Sequence, residues 1–356
     1  MKRRDFIKGT ATGIAGSAIS LKQSYSDLQF DIFSGNKDKQ ENSRKLLLPP
    51  AVREGTTIGI TAPASPTSPW EIRHSVRMFK RMGFKVIVGD TIEKRKSSAR
   101  YLSAPDEERA DEFMNFVNDP EVGCILCGRG GYGSMRILSM IDYDAIRRNP
   151  KPIVGFSDIT ALLNAIFRKT NLVTFHGPVA IIDFNSFTKK HFFEILYEKQ
   201  LKSPIEVKYP QAETLIPGSA MGKLAGGNLS MLISTLGTEY EIDTDGSIFF
   251  IEEVSEHAYK IDRMLTQLIL AGKFKNVKAV IFGYFKGLNS RRPFYPGGSF
   301  TIKEVLENRI KPLGIPSVIG MPIGHTSNKL TVPIGINAFV DTEKKMFNIL
   351  EQAVKS

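Results

Sequence analysis

A serine at the end of an apolar run is the first residue in this sequence that could do chemistry. It lies in Val154-Gly155-Phe156-Ser157-Asp158-Ile159, where a buried strand is expected to turn into a helix. Gly155 relieves crowding in such a turn and places Ser157 at a helix N-terminus, where backbone N–H groups face developing negative charge. Ile159 stands where a nucleophile elbow usually has a second glycine. The local sequence therefore leaves a nucleophile and a simple helix N-cap equally open.

A glycine-rich segment, Gly128-Arg129-Gly130-Gly131-Tyr132-Gly133, follows another apolar run and precedes a helix, and we call residues 128–133 the glycine turn. Its letters satisfy G-x-G-x-x-G, but a dinucleotide site should open the first strand-helix-strand unit and have an acid about 20 positions later at a strand end. Asp142 and Asp144 fall before the next strand. The alternative is a turn whose N–H groups bind an anion, including the oxyanion of an acyl-transfer intermediate.

A serine nucleophile needs a base, and the chain has five histidines. Packing, capping or exposure is the expected role of three of them, His74, His191 and His257. His176 ends an apolar run near the same sheet edge as Ser157 and is a candidate. His325 lies between Gly324 and Thr326 in a loop without the helical or strand periodicity that would bury it, which favours chemistry over packing.

The third member of a hydrolytic triad would be a carboxylate. Ile251-Glu252-Glu253 closes an apolar strand in the second half of the chain. Burying an acid there without a partner would be expensive, and a histidine N–H would offset that cost.

The elements that must position these residues alternate between near-continuous apolar runs and amphipathic segments, which predicts a parallel α/β sheet with crossover helices. Ligands bind beyond the carboxyl ends of such strands, where Ser157 and the glycine turn fall. The predicted strands cover residues 57–62, 85–89, 122–127, 152–156 and 172–175, and the predicted helices cover 70–82, 106–118, 134–141 and 158–169.

The pattern changes after about residue 185 and passes through a polar, proline-containing stretch to a mixed unit. Its predicted strands cover residues 247–251, 279–284, 330–340 and 346–350, and its predicted helices cover 228–236, 258–271 and 302–307. We therefore expect an N-terminal α/β domain over 49–185 with the serine, a connection over 186–222, and a C-terminal domain over 223–356 with the glutamate and His325.

The N-terminus matches an export signal. Lys2-Arg3-Arg4-Asp5-Phe6-Ile7-Lys8 fits the twin-arginine pattern, and the uncharged stretch 9–21 is too short for the roughly 20 residues of a membrane span but suits a signal h-region. We expect a signal peptide over 1–28, a polar linker over 29–48, and a periplasmic or otherwise extracytoplasmic protein without stable membrane insertion after signal removal. The alternative is a basic tail on a cytosolic enzyme.

Composition excludes several classes of protein. With 42% hydrophobic and 24% charged residues among 356, the chain is neither disordered nor membrane-embedded. Of the net charge of +11, the first 30 residues contribute three, and the rest is spread along the chain without a basic helix, so nucleic acid is not an expected partner. Cys124 and Cys127 lie in the run 122–127, where a strand would point their sulfurs to opposite faces, and this favours buried thiols over a redox or metal-binding pair.

Taken together, these motifs resemble the serine LD-carboxypeptidases, the muramoyltetrapeptide carboxypeptidase family. The resemblance extends over nearly the whole chain after the linker. It rests on blocks in one order, namely Thr61-Ala62-Pro63-Ala64-Ser65-Pro66, Tyr101-Leu102-Ser103-Ala104, the glycine turn, Gly155-Phe156-Ser157-Asp158, His176-Gly177-Pro178, Gly226-Gly227-Asn228-Leu229, Ile251-Glu252-Glu253 and Gly324-His325.

The resemblance implies a Rossmann- or flavodoxin-like parallel-sheet N-terminal domain and a smaller β-rich α+β C-terminal domain. It implies a triad of Ser157 as nucleophile, His325 as general base and then acid, and Glu252 as the residue that orients it. The oxyanion hole would be the backbone N–H groups of Gly131 and Asp158, without need of the Asp158 side chain. His176 becomes a structural or supporting residue, and neither a metal nor a cofactor is implied.

The family reaction cleaves terminal D-Ala from the peptidoglycan tetrapeptide through an acyl-enzyme, so the implied partner is a peptidoglycan-derived peptide. Because family members commonly act on the cytoplasmic side, the export signal is a departure. The terminal carboxylate needs a cation or a nest of N–H groups, and Arg129, inside the glycine turn, is our candidate. The family also suggests a homodimer.

Three alternatives remain. A related branch of the family hydrolyses peptide-nucleotide antibiotics with an identical triad. An exported NAD(P) oxidoreductase would use the glycine turn for its cofactor. A non-catalytic muropeptide-binding protein would bind without turnover.

Overall fold

The computed structural model describes residues 45–94, 100–286 and 300–356. The predicted signal peptide and most of the predicted linker therefore lie outside the described residues. The compact unit begins at Leu46 and ends at Ser356. Its first residues are already paired, because the Leu47 N–H donates to the Asn171 carbonyl over 2.9 Å.

The first sheet of the described chain has six strands in the order β12-β5-β4-β3-β1-β2. They are β1 (Thr57–Thr61), β2 (Lys85–Val88), β3 (Val122–Cys127), β4 (Ile153–Gly155), β5 (Thr174–His176) and β12 (Val332–Ile334). β1 to β5 are parallel to their neighbours, and β12 pairs antiparallel with β5. The central strands are buried on both faces, which explains their near-continuous apolar sequences.

The helices of the first half are α1 (Pro69–Arg81), α2 (Asp90–Glu93), α3 (Asp106–Asn118), α4 (Tyr143–Arg148), α5 (Thr160–Thr170) and α6 (Ser186–Leu196). α1 begins with a capping box, in which Ser68 and Glu71 satisfy each other's backbone N–H groups. The predicted helix over 134–141 is a 3-10 helix, Ser134–Met140. The predicted helix over 158–169 begins as the 3-10 turn Ser157–Ile159 and continues as α5.

The second sheet of the described chain has eight strands in the order β6-β14-β13-β8-β9-β10-β11-β7. They are β6 (Ile205–Lys208), β7 (Glu213–Ile216), β8 (Ser219–Asn228), β9 (Ser247–Val254), β10 (Ala279–Lys286), β11 (Ser317–Gly324), β13 (Asn337–Asp341) and β14 (Met346–Ile349). The central strands β8 to β11 are parallel, and the outer pairs are antiparallel. The accompanying helices are α7 (Leu229–Ser234), α8 (Ala258–Leu270) and α9 (Ile302–Ile310).

The stretch predicted as a connection, 186–222, contains α6, β6, β7 and the start of β8. Two other predictions about the second half were wrong in detail. The predicted strand over 330–340 is two strands in different sheets, because the chain turns at Gly335, whose φ is +94°. The segment before His325 is strand β11 rather than a loop; Gly320, Pro322 and Gly324 interrupt its apolar pattern and hid it.

None of the described helices has the length and apolarity needed to cross a membrane. Both cysteines are buried in β3 as free thiols, which confirms the prediction for that pair. Burial raises the pKa of the Cys124 thiol to about 12.

Candidate active site

Ser157 lies where β4 turns into the 3-10 turn before α5, beyond the carboxyl end of a central strand. Its φ of +65° falls in the left-handed region, which a residue with a β-carbon adopts only under constraint. Gly155 is required there, because a β-carbon at this position would lie 2.7 Å from Ile159 Cγ2. The strained strand-to-helix turn, which the sequence offered as one of two possibilities, is therefore present. Ile159, which stands where such a turn usually has a second glycine, packs against Gly155.

Asp158 ties this corner to the glycine turn. Its buried carboxylate accepts hydrogen bonds from the Gly133 N–H over 3.3 Å and the Ser134 N–H over 2.8 Å. In return the Ser134 hydroxyl donates to the Asp158 carbonyl over 2.6 Å. Burial raises the pKa of this carboxyl group, and the hydrogen bonds from Ser134 and Gly133 oppose that rise. The sequence analysis gave this side chain no role; its position beside Ser157 at a helix start was the only signal.

Arg109 supports the glycine turn from the other side. Its side chain is fully buried beneath the turn, and its guanidinium donates to the Gly133 carbonyl over 2.9 Å and to the Ala104 carbonyl over 3.1 Å. It also donates to the Pro63 carbonyl and pairs with Asp106. The sequence analysis missed this residue, although an arginine on the buried face of α3 was a signal.

Some N–H groups in and beside the glycine turn donate to an acceptor, and others have none and are open to a ligand. The Tyr132 N–H donates to Ser65 Oγ over 3.0 Å, and the next two N–H groups donate to Asp158. Among the described residues, the N–H groups of Arg129, Gly130 and Gly131 in the turn and of Asp158 at the corner have no acceptor. A carboxylate already fills the part of the turn that a pyrophosphate would need, which weighs against the dinucleotide alternative. The open N–H groups include the two expected of an oxyanion hole, those of Gly131 and Asp158.

Glu252 and His325 form the second half of the site. Glu252 is fully buried in β9, and its Oε2 lies 2.6 Å from Nδ1 of His325 directly after β11. Gly324 permits this approach, since its φ is +85° and a β-carbon there would overlap Glu252 Oε2. Burial would raise the pKa of Glu252, but the facing imidazoles of His176 and His325 lower it to about 2. The carboxylate is therefore charged at neutral pH and holds His325 by Nδ1.

The neighbouring acid Glu253 has a different function. It accepts from Asn228 Nδ2 over 3.0 Å and from the Ser230 hydroxyl over 2.6 Å, at the start of α7. Burial raises its pKa, and Ser230 leads the hydrogen bonds that oppose the rise. Of the two adjacent glutamates, only Glu252 contacts a histidine among the described residues.

Lys329 fixes the loop that follows β11. Its buried ammonium donates to the Thr326 carbonyl over 3.1 Å and to the Gly324 carbonyl, on either side of His325. It also lies 4.2 Å from the ring centroid of Phe156. The sequence analysis missed this residue, and the polar residues before it, Ser327 and Asn328, gave no signal that it is buried.

Phe156, the residue before Ser157, packs against His325 with 4.8 Å between the ring centroids. This contact brings Ser157 and His325 into the same part of the structure. No hydrogen bond joins Ser157 Oγ to His325 within the described residues. Such contacts are often long without substrate and shorten in the reacting complex. The structure thus brings the predicted triad residues to one place and leaves the serine–histidine hydrogen bond unmade.

The other candidates are placed as follows. Arg129 is exposed on the glycine turn, with its guanidinium 3.5 Å from the Glu71 carboxylate. His74 is exposed in α1, His191 is buried in α6, and His257 lies half-buried at the N-cap of α8. Within the described ranges, no group of three or more His, Cys, Asp or Glu side chains is arranged to hold a metal ion.

Known proteins resemble this chain over most of its length. Residues 58–177 match the LD-carboxypeptidase N-terminal domain of peptidase family S66, and residues 221–340 match the corresponding C-terminal domain. The probable murein peptide carboxypeptidase of Bacillus subtilis (strain 168) is 38% identical over 302 residues, which cover 83% of this chain and 92% of that protein. The microcin C7 self-immunity protein MccF of Escherichia coli is 32% identical, covering 86% and 96%.

A solved structure is similar as well. The crystal structure of muramoyltetrapeptide carboxypeptidase from Oxalobacter formigenes matches with a TM-score of 0.73 and 30% sequence identity, covering 83% of this chain and 99% of that one. This similarity confirms the predicted class, a parallel-sheet N-terminal domain with a β-rich C-terminal domain.

Proposed function

Because the chain belongs to the LD-carboxypeptidase family, peptidase S66, we propose that it is a serine LD-carboxypeptidase that removes terminal D-Ala from peptidoglycan tetrapeptides. The family membership makes it a peptidase of the carboxypeptidase type, and the mechanism and substrate are our proposal. The observation that carries it is the buried Glu252–His325 pair, next to a serine on a strained corner.

Acylation is the first half of the proposed mechanism. His325 Nε2 takes the Ser157 hydroxyl proton as Oγ attacks the carbonyl carbon before D-Ala, and the carbonyl electron pair moves onto oxygen. The Gly131 and Asp158 N–H groups hold that oxyanion. When the carbon–nitrogen bond breaks, His325 gives its proton to the nitrogen, so D-Ala leaves as an amine.

Deacylation repeats the chemistry with water. His325 takes a proton from water, whose oxygen attacks the ester carbon, and the proton then returns to Ser157 as the ester bond breaks. One water is consumed, and the shortened peptide leaves with a new carboxylate. Glu252 stays ionised throughout and stabilises the imidazolium that forms twice.

Arg129 is the proposed ligand of the D-Ala carboxylate. Its side chain is exposed on the glycine turn, and among the described residues its guanidinium has one contact, 3.5 Å to Glu71, which it can exchange for a substrate carboxylate. We expect Arg129→Met to raise KM about 10-fold, the cost of one charge-assisted hydrogen bond, with kcat nearly unchanged. Arg73→Met, which removes an arginine stacked on Trp70, is the control. Unchanged kinetics in Arg129→Met would rule out this role.

The alternative within the family is hydrolysis of a peptide-nucleotide antibiotic. The similarity to the microcin C7 self-immunity protein favours it as the second candidate. The triad would be the same, so substrate profiling separates the two.

The cellular setting of the proposal comes from the sequence alone. The twin-arginine segment supports export of the folded enzyme to the periplasm or another extracytoplasmic space. The homodimer is expected only from the family resemblance. Replacing Arg3 and Arg4 together by lysine should retain the protein in the cytoplasm. An unchanged distribution would contradict export, and a monomeric mass in light scattering would contradict the dimer.

The experiment that tests the function is mass spectrometry of a muropeptide tetrapeptide incubated with the mature protein. Loss of one terminal D-Ala, abolished in Ser157→Ala and unaffected by a metal chelator, is the expected result. An intact tetrapeptide would contradict the proposal, and peptide-nucleotide substrates would then be tried.

A further inference from the structure

A second buried imidazole faces the oxygen of Glu252 that His325 does not use. Nε2 of His176 lies 3.8 Å from Glu252 Oε1, and both side chains are almost inaccessible, at 1% and 0% exposure. Among the described residues, Glu252 Oε1 accepts no hydrogen bond, and neither ring nitrogen of His176 makes one. Two complementary polar groups therefore face each other across a gap slightly too long for a hydrogen bond.

The surroundings hold His176 in that orientation. β5 ends at His176 and pairs with β4 on one side and β12 on the other. Its ring packs edge-on between Phe156, at 6.1 Å between centroids, and Phe250, at 5.3 Å. Leaving a buried donor and acceptor unpaired is expensive, and a movement of about 1 Å would pair them.

We propose that His176 is a positioning residue, whose Nε2–H donates to Glu252 Oε1 and clamps the carboxylate between two imidazoles. The inference rests on the proposed function, in which Glu252 orients His325. With both oxygens held, the carboxylate cannot rotate away from His325 Nδ1 while the imidazole passes its proton between serine, leaving group and water.

The other charges near this cluster point elsewhere. Glu253 faces Asn228 and Ser230, Lys329 binds the carbonyls around His325, and Asp158 binds the glycine turn. Glu252 is therefore the only carboxylate among the described residues that faces both His176 and His325. Removing the His176 donor should leave Oε1 of Glu252 unheld and let the carboxylate turn away from His325 Nδ1.

Substitution of His176 by leucine and by glutamine tests the proposal. Leucine removes the donor, and glutamine restores an N–H at a similar reach. We expect kcat to fall about 10- to 100-fold in His176→Leu, the loss of one hydrogen bond to a charged group, with KM little changed. Glutamine should recover most of that loss. His191→Leu, which removes another buried imidazole outside the site, is the matched control and should retain wild-type kcat.

A measurement without substrate separates this proposal from the proposed function. Proton NMR of the resting protein should show a downfield His325 Nδ1–H resonance, from the hydrogen bond to Glu252, that broadens or moves upfield in His176→Leu and returns towards wild type in His176→Gln. Thermal unfolding of each variant checks that it is folded. An unchanged His325 Nδ1–H resonance in folded His176→Leu, or equal kcat losses with leucine and glutamine, would overturn the role of His176. A resonance that changes as expected, in a protein that hydrolyses no tetrapeptide, would support His176 and contradict the proposed function instead.

Discussion

At the scale of single residues, the site depends on one buried charge. Glu252 has no solvent to stabilise it, and the two imidazoles that face it supply the compensation. Its neighbour Glu253 has the same side chain and similar burial but different partners. The same substitution, made at Glu252 and at Glu253 in turn, can therefore separate a loss of catalysis from a loss of packing.

We expect Glu252→Gln to lower kcat about 10³- to 10⁴-fold, because the amide neither stabilises the imidazolium nor fixes the His325 tautomer. Glu253→Gln is the control and should lower the melting temperature while reducing kcat less than about 10-fold, since its contacts are structural. Steady-state kinetics on the tetrapeptide measure both. Similar kcat losses in the two variants would contradict the assignment of Glu252 to the triad.

The same carboxylate predicts a pH dependence of stability. The pKa of Glu252 is about 2 in the folded protein and near 4.5 when unperturbed, so the ionised form favours folding. Its contribution is fully present above the unperturbed value and is lost as the pH falls towards the folded value. Wild type should therefore lose stability more steeply than Glu252→Gln between these two pH values in denaturant titrations. An equal pH dependence of stability in wild type and Glu252→Gln would show that folding does not stabilise the ionised form of Glu252.

At the scale of elements, the Ser157 corner and the glycine turn follow different strands and are joined by side chains. Asp158 and Arg109 hold the carbonyl and N–H groups of residue 133 from two sides. The strand pattern placed the turn and the corner at one edge of the sheet. Their fine spacing, which decides whether two N–H groups converge on one oxygen, depends on these buried charges.

Asp158→Asn should loosen that spacing. We expect kcat to fall about 10- to 100-fold, less than full loss of an oxyanion donor, because the amide keeps one acceptor oxygen but loses the charge. Asp142→Asn is a control, since Asp142 caps α4 by accepting from the Ala145 N–H over 2.8 Å, away from the triad. A kcat in Asp158→Asn equal to that of the control would show that the tether does not affect catalysis.

At the scale of the whole molecule, β12 joins the two halves of the described chain. In the second sheet, β11 ends at Gly324. The chain then passes His325, pairs with β5 of the first sheet as β12, and returns to the second sheet as β13. The register places Val332 opposite His176. The strand crossing therefore fixes His325 and His176 to the same part of the structure, and residues from Leu46 onward form one compact unit.

Because β12 of the second half pairs within the first sheet, we expect a single cooperative unfolding transition. Calorimetric and van't Hoff enthalpies of the mature protein should agree, although two separate domains would give two transitions. Val332→Asp, which puts a charge into the fully buried β12, should lower the melting temperature of the whole unit. Two resolved transitions, with only one shifted by this variant, would contradict the coupling.

The sequence by itself determined the α/β class, most central elements and the identities of the triad candidates. Buried parallel strands are apolar along their length, and the candidate side chains follow them at strand ends, so both signals are local. Only the tertiary structure decided that β11 is a strand, that residues 332–334 join the first sheet, and that Arg109, Asp158, Lys329 and His176 surround the site. Their partners are backbone groups and carboxylates from other segments, and a buried charge is stable only where folding brings such groups to it.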